Sequence, residues 1–282
     1  MKQKWYTQEE IDFIIENYKK EGAAYCAEKL NRSVDSICGK YFRVIRENPN
    51  KVRKQQTFLH QNLFLNPEDI TKESAYVLGW IWSDGYIIRN EIRLEIVTED
   101  AVEIQQFLEK VGHWSITNRS RKNRKPQTSF CITCAEIAEW FKSMGKYPHS
   151  SESHEKILSH IPRKLQWHFL RGLIDGDGNF YTNYTTATTT QFSISSNYTQ
   201  DWSSIEKFFN TFDIFPNIIR TLRENSKSSK IRITNKDHII KFTKLLYENN
   251  DGIYLPRKYN KVLEIWNYWT NKYNEESIRN KS

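Results

Sequence analysis

Long apolar runs are absent from this 282-residue chain, and cysteine is sparse. No stretch approaches the ~20 consecutive apolar residues that a membrane-spanning helix needs. The opening Met1-Lys2-Gln3-Lys4-Trp5 lacks the apolar core of a secretion signal. The expectation is an intracellular protein (cytoplasm, nucleoid or organelle matrix), not secreted and with no membrane partner. The four cysteines, Cys26, Cys38, Cys131 and Cys134, then read as reduced, partly buried thiols. Cys131 and Cys134 form a Cys-x-x-Cys step where a strand runs into a helix. The other pair is distant and no nearby histidine completes a zinc set, so packing is the expected role.

What is present points elsewhere. Aromatic residues make up 14% of the chain, enough for real cores and against disorder. The 42 basic residues outnumber the 34 acidic ones, for a net charge of +8. That moderate excess favours a polyanionic partner, most often nucleic acid, and says nothing about fold. The length suits one large or two to three small domains.

Two stretches share one pattern: Val77-Leu78-Gly79-Trp80-Ile81-Trp82-Ser83-Asp84-Gly85 and Leu170-Arg171-Gly172-Leu173-Ile174-Asp175-Gly176-Asp177-Gly178. Each is an apolar run with small residues at its third and seventh positions, ending in Asp-Gly before a strand-like segment. Small residues four apart let helix backbones approach closely, as in membrane helices. Each helix would end by presenting one carboxylate, Asp84 or Asp177, with Gly85 and Gly178 supplying the permissive backbone of a helix C-terminus. Two such helices side by side hold two carboxylates together, which suits a metal ion. One Asp-Gly turn carries little information; two with matched downstream patterns carry much more.

Both stretches resemble the LAGLIDADG motif of homing endonucleases. The second copy (LRGLIDGDG) is close. The first (VLGWIWSDG) is looser, with Trp82 where the motif usually has an acid, a position that is not the family's metal ligand. From residue 71 the chain repeats. The pattern predicts a helix near 73–84, strands near 86–89 and 91–97, a helix near 99–111, strands near 113–119 and 127–133, and a helix near 135–144. The order recurs with a helix ending at Asp177, strands near 179–184 and 189–195, a helix near 202–212, strands near 217–224 and 229–234, and a helix near 237–247. Pro162-Arg163-Lys164 follows the first set and Pro256-Arg257-Lys258 the second. The expected fold class is α+β: two pseudo-symmetric αββαββα repeats, which by the resemblance form a saddle-like DNA-binding core, plus a small all-α N-terminal domain. The expected boundaries are 1–48 for that domain, 49–70 for a basic linker, 71–150 for the first repeat, and 151–282 for the second with a C-terminal helix.

Residues 5 to 46 read as three short helices. Thr7 and Glu10 form a capping box, Gly22 breaks the pattern, and Ser33 precedes a third helix. Its predicted apolar face is Val34, Ile37, Tyr41 (or Phe42) and Ile45, with Ser36, Lys40 and Arg43 opposite. This resembles the Myb/SANT-like helix-turn-helix group, whose third helix enters the major groove.

The resemblance implies a monomeric, site-specific double-strand DNA endonuclease associated with intron mobility, cutting across the minor groove to leave short 3′ overhangs. Asp84 and Asp177, with the backbone of Ser83 and Gly176, would hold Mg²⁺ (or Mn²⁺), while Ca²⁺ would bind without supporting cleavage. Lys164 and Lys258 would be active-site lysines, and Glu99 and Asn197 would organise solvent. Strand alternation turns Ile92, Leu94, Ile96, Phe192, Ile194, Ile231 and Ile233 inward, leaving polar residues outward. The expected DNA-binding set is Lys40, Arg43, Arg93, Arg119, Arg121, Lys122, Arg124, Gln191, Ser193, Lys230 and Arg232, types that read base edges or phosphates. The alternative is an intron RNA maturase or a non-cleaving DNA-binding regulator on the same core. With Met1 at its start and neither a terminal splicing cysteine nor a C-terminal His-Asn, the chain is expected to be free-standing rather than an intein.

Overall fold

Thr7 opens the first helix, α1 (Gln8–Leu30), by accepting the Glu10 amide while the Glu10 carboxylate accepts the Thr7 amide. The reciprocal pair satisfies two of the donors that a helix start leaves open. Gly22, at φ 89°, kinks the element internally, because glycine enters that region without a Cβ penalty. The first two expected helices therefore run together across a break. After Asn31 in the left-handed conformation comes α2 (Val34–Glu47). Ile14, Cys26, Ile37 and Tyr41 form the core, and the rings of Tyr18 and Tyr41 stack with centroids 3.8 Å apart. The buried stripe of α2 differs from the expected one. Val34 and Phe42 are 45% and 56% exposed, Val44 is buried with Ile37 and Tyr41, and the Ile45 side chain lies outside what the structure describes. Spacings of four and three put Ile37, Tyr41 and Val44 on one helix face.

The computed structural model describes residues 6–47, 58–120, 125–146, 153–184, 189–223 and 226–279. The chain divides into two units, Met1–Gln56 and Thr57–Ser282. In the second, β1 (Phe58–Leu59), α3 (Asn62–Leu65) and a 3₁₀ turn at Pro67–Asp69 occupy part of the stretch expected to be linker. Leu59, Phe64 and Ile70 are buried there. At about 1.5–3 kcal/mol for each fully buried large apolar side chain, these anchors order a segment that has no periodicity to announce it.

The first repeat continues with α4 (Lys72–Asp84), β2 (Gly85–Ile88), β3 (Glu91–Val97), α5 (Thr98–Val111), β4 (Gly112–His113), β5 (Ser115–Arg119), β6 (Gln127–Thr133) and α6 (Ala135–Ser143). The second runs through α7 (Glu155–His160), α8 (Gln166–Asp177), β7 (Gly178–Asn183), β8 (Thr189–Asn197), α9 (Ser203–Asn210), β9 (Asn217–Arg223), β10 (Ser226–Ile233) and α10 (Lys236–Tyr247), and α11 (Pro256–Arg279) closes it. Short β4 pairs with β1. The two four-stranded sheets have the orders β2-β3-β6-β5 and β7-β8-β10-β9. Both sheets place their first, second, fourth and third strands side by side, so topology as well as sequence is duplicated. Ile92, Leu94 and Ile96, and likewise Phe192, Ile194, Ile231 and Ile233, are buried while their neighbours in sequence face out. That alternation is the signature of a sheet covered on one face. Among the described residues no helix is long and apolar enough to cross a membrane.

Candidate active site and nucleic-acid face

The site is built by the crossing of α4 and α8. A β-carbon on Gly79 would overlap the Phe169 carbonyl, and one on Gly172 would overlap the Tyr76 carbonyl. One turn further along, Gly176 leaves room for the Ser83 hydroxyl and the Asp84 carboxylate. The small residues at the third and seventh motif positions thus meet their counterparts across the crossing. A side chain on Gly79, Gly172 or Gly176 would drive the helix ends apart.

Asp84 and Asp177 end their helices at this contact. The glycines after them serve a purpose other than the expected one. Gly85 (φ −82°, ψ 154°) and Gly178 (φ −71°, ψ 147°) are extended, not left-handed. What matters is the missing β-carbon, which would collide with the carbonyls of Ile81 and Ile174. Asp84 is partly buried and accepts the Ser83 hydroxyl at 3.0 Å. Burial, then the negative charge of Asp177, pushes its carboxyl up to about 6. Asp177 is open to solvent, yet the protein atoms around it also raise its pKa, opposed by the charges of Lys146 and Lys258. Of the two backbone groups expected beside a metal, Ser83 and Gly176 lie against each other here.

Asp175, at the position Trp82 fills in the first copy, is an anchor inside the protein. It is fully buried and accepts the Tyr76 hydroxyl (2.8 Å), the Tyr247 hydroxyl (2.6 Å) and the Leu255 amide (2.8 Å). Burial raises its carboxyl to about 6. Trp82 instead packs edge-on against Phe169, ring centroids 6.2 Å apart.

The lysines correct one expectation. Lys258 is buried at the start of α11 and donates to the Gly178 carbonyl, while its neighbour Arg257 forms a paired contact with Asp100 at 2.6 Å. Lys164 is exposed on the 3₁₀ turn Arg163–Leu165 that leads into the N-terminus of α8. A 12-residue helix is about 18 Å long, and Asp177 is at its far end. The matched Pro-Arg-Lys steps therefore sit in unlike places. The second buried lysine is Lys146, just after α6, whose Nζ donates to the Trp82 carbonyl at 2.6 Å. Burial holds its pKa down to about 8 against the pull of Asp177 and Asp84. Sequence reading missed it because the two lysines follow their motif helices at unequal spacings, 64 residues from Trp82 and 80 from Gly178. The one available signal is that each lysine follows the helix that comes after the fourth strand of its sheet, α6 for Lys146 and α10 for Lys258.

Each residue of the expected solvent-organising pair engages a neighbour of its own. Glu99, in the first turn of α5, is 3.2 Å from Lys125. Asn197, ending β8, accepts the Thr199 hydroxyl. Buried Gln200 and, before α7, His154 line a small hollow with Asp177; neither carries a motif that would single it out.

The outer faces of the sheets differ in charge. On the first, Arg93 pairs with Glu91 at 2.7 Å and Arg119 lies 3.6 Å from Glu95. On the second, Lys230 is opposite Ser195 and Arg232 opposite Ser193, with Gln191 on the same face, and β7 to β10 contain no Asp or Glu at all. In the N-terminal unit Lys40 lies 5.6 Å over the Tyr6 ring, and Arg43 is exposed. Arg121, Lys122 and Arg124 lie outside the described residues.

No curated protein matches the chain in sequence. Among solved structures, the chain is similar to the homing endonuclease I-WcaI bound to its DNA recognition sequence (16% identity, 68% of this chain and 86% of that one, TM-score 0.47). It is also similar to the LAGLIDADG homing endonuclease I-LtrWI bound to target DNA (12%, 71% and 91%, 0.48) and to I-DmoI in complex with DNA and Ca (18%, 62% and 88%, 0.43). Residues 165–247, which run from the start of α8 to the end of α10, match the LAGLIDADG-like domain. The matched segment contains the second of the two motif helices, α8, and the first motif ends α4 outside it.

Proposed function

We propose that the protein is a site-specific double-strand DNA endonuclease that hydrolyses phosphodiester bonds, using divalent metal held by one aspartate from each repeat. The observation that carries this reading is the pair Asp84 and Asp177, brought from two helix ends to one point by backbone-to-backbone packing, with Lys146 and Lys258 beside them. The residues fit a hard divalent cation. Among the described residues no group of three or more His, Cys, Asp or Glu forms a closed cage. Mg²⁺ accepts one or two carboxylates and completes its shell with water and substrate phosphate. Burial and the nearby charge of Asp177 raise the Asp84 carboxyl, a repulsion that a bound cation would offset. When bound, the ion supplies charge neutralisation at the phosphate and a lowered pKa for attacking water.

The chain's own groups do the rest. Lys146 keeps its proton at neutral pH, since its pKa of about 8 lies above 7. Lys146 therefore offers positive charge where the phosphate gains negative charge. The second sheet, with Lys230 and Arg232 and no acids, binds its half-site mainly through phosphate attraction. On the first sheet Glu91 and Glu95 hold arginines in place, and their carboxylates are of the type that accepts a hydrogen bond from cytosine. The N-terminal helices extend the DNA footprint, and the working form is a monomer with its two repeats in one chain.

The test is incubation with Mg²⁺ and a library of double-stranded DNA, followed by sequencing of the ends. Cuts at one or a few long sites support the reading. Cuts without site preference, or tight binding to structured RNA with no DNA cleavage, count against it, and the second result favours a maturase.

A further inference from the structure

A hollow of about 50 Å³ opens beside Asp177, lined also by His154, Ser195, Gln200 and the rings of Trp82 and Trp202. A water molecule needs roughly 10–15 Å³ of such space and two to four polar partners, and the hollow offers both. His154 is 3% exposed, and its Nδ1 has no hydrogen-bond partner among the described residues. Leaving such an atom unsatisfied is costly, and buried polar atoms nearly always find a protein group or an ordered water. The ring itself is fixed. It stacks on Trp202 with centroids 5.8 Å apart at 17°, and Trp82 lies 6.3 Å away.

We propose that His154 is a positioning residue that holds an ordered water in this hollow against the Asp177 carboxylate, and so controls cleavage of one DNA strand but not the other. This rests on the endonuclease reading above. A neutral imidazole offers one accepting and one donating nitrogen, so the bridge needs no charge on His154. Burial, reinforced by the charge of Lys146, keeps the ring neutral at physiological pH. The one-sidedness comes from the fold. His154 stands at the N-cap of α7, ahead of the 3₁₀ turn and α8. The same place ahead of α4, the N-cap of α3, holds Gln61, whose amide donates to the Cys134 sulfur at 3.1 Å. Among the described residues no histidine stands at that place in the first repeat.

The experiment is strand-resolved, single-turnover cleavage of a duplex labelled separately on each strand, by the full chain with Mg²⁺. His154→Phe keeps an aromatic ring for stacking and removes the nitrogen; His154→Gln returns a polar atom. Affinity for the DNA and the melting temperature are measured for each. The expected result is that His154→Phe slows the strand silenced by Asp177→Asn about 10-fold or more, the range seen when a group supporting a metal site is lost. The other strand is cut at the wild-type rate, nicked duplex accumulates, and His154→Gln recovers part of the loss. Equal slowing of both strands, or no slowing of either, overturns the proposal. An experimental structure of the wild type should also show a water within hydrogen-bond distance of both Nδ1 and Asp177, and a dry hollow overturns it whatever the variants do. A wild type that cuts neither strand overturns the endonuclease reading itself and this proposal with it.

Discussion

The backbones of Gly79 and Gly172 meet where α4 crosses α8: a β-carbon on Gly172 would stand 3.1 Å from the Gly79 Cα and would overlap the Tyr76 carbonyl. This contact sets the distance between the two acids one turn later. Gly172→Ala must push the helices apart, and overpacking of this kind costs about 1–3 kcal/mol. Thermal melting should show a clear drop, and DNA cleavage should fall further than the unfolded fraction explains, because the acids separate. An unchanged melting temperature would mean that the helices do not touch there.

The lysine assignment is tested by substitution. Lys164→Ala should cleave at the wild-type rate, because that side chain lies at the opposite end of α8. Lys146→Met and Lys258→Met should each lose about 10-fold or more in single-turnover rate while still binding the target. Loss at Lys164 alone would restore the equivalence suggested by the repeated Pro-Arg-Lys.

His168 supplies a pH dependence that is independent of metal. Its Nδ1 is 3.1 Å from the Arg171 guanidinium, and Arg171 in turn donates to the carbonyls of Leu246, in the last turn of α10, and of Asn250 and Ile253 in the connection after it. Burial, then the Arg171 charge, holds His168 down to about 4, with Asp251 opposing. A base depressed on folding contributes stability that is fully present above its unfolded pKa, about 6.5, and lost as pH falls toward 4. Across that window the unfolded chain takes up the proton first. Denaturant unfolding at pH 7 and pH 4.5 should therefore show an acid-side loss smaller in His168→Gln than in wild type by roughly 2–3 kcal/mol. Equal losses in the two proteins would remove this account of His168.

The charge difference between the sheets predicts unequal salt effects. Removing Lys230 and Arg232 together should weaken binding at low salt and reduce the slope of log K against log salt by about 2 if both contact phosphate. Arg93→Ala should change that slope less, because Glu91 already engages Arg93, and should alter base preference instead. Equal slopes for the two variants would contradict the assignment.

How much of this was legible beforehand depends on the kind of signal. The motif helices, the strand pairs and the inward isoleucines follow periodicities of 3.6 and 2, which a sequence displays openly. The helix crossing was legible from small residues four apart. The ordered stretch from Phe58 to Ile70 was not, because three buried side chains without a period look like a linker. Lys146 and His154 were hidden for another reason. Each reaches the acids from a connection rather than a patterned element, so only the folded chain reveals the proximity. Gly85 and Gly178 show a right residue with the wrong cause: the sequence marked a special backbone position, but sterics rather than a left-handed φ requires it.

The most direct measurement is strand-resolved cleavage of a target duplex in Mg²⁺ by wild type, Asp84→Asn and Asp177→Asn, with affinity measured in parallel. The account predicts that wild type breaks both strands, that neither variant makes a double-strand break, and that the two variants differ in the strand they fail to cut while both still bind. Double-strand cleavage at the wild-type rate by either variant would contradict it.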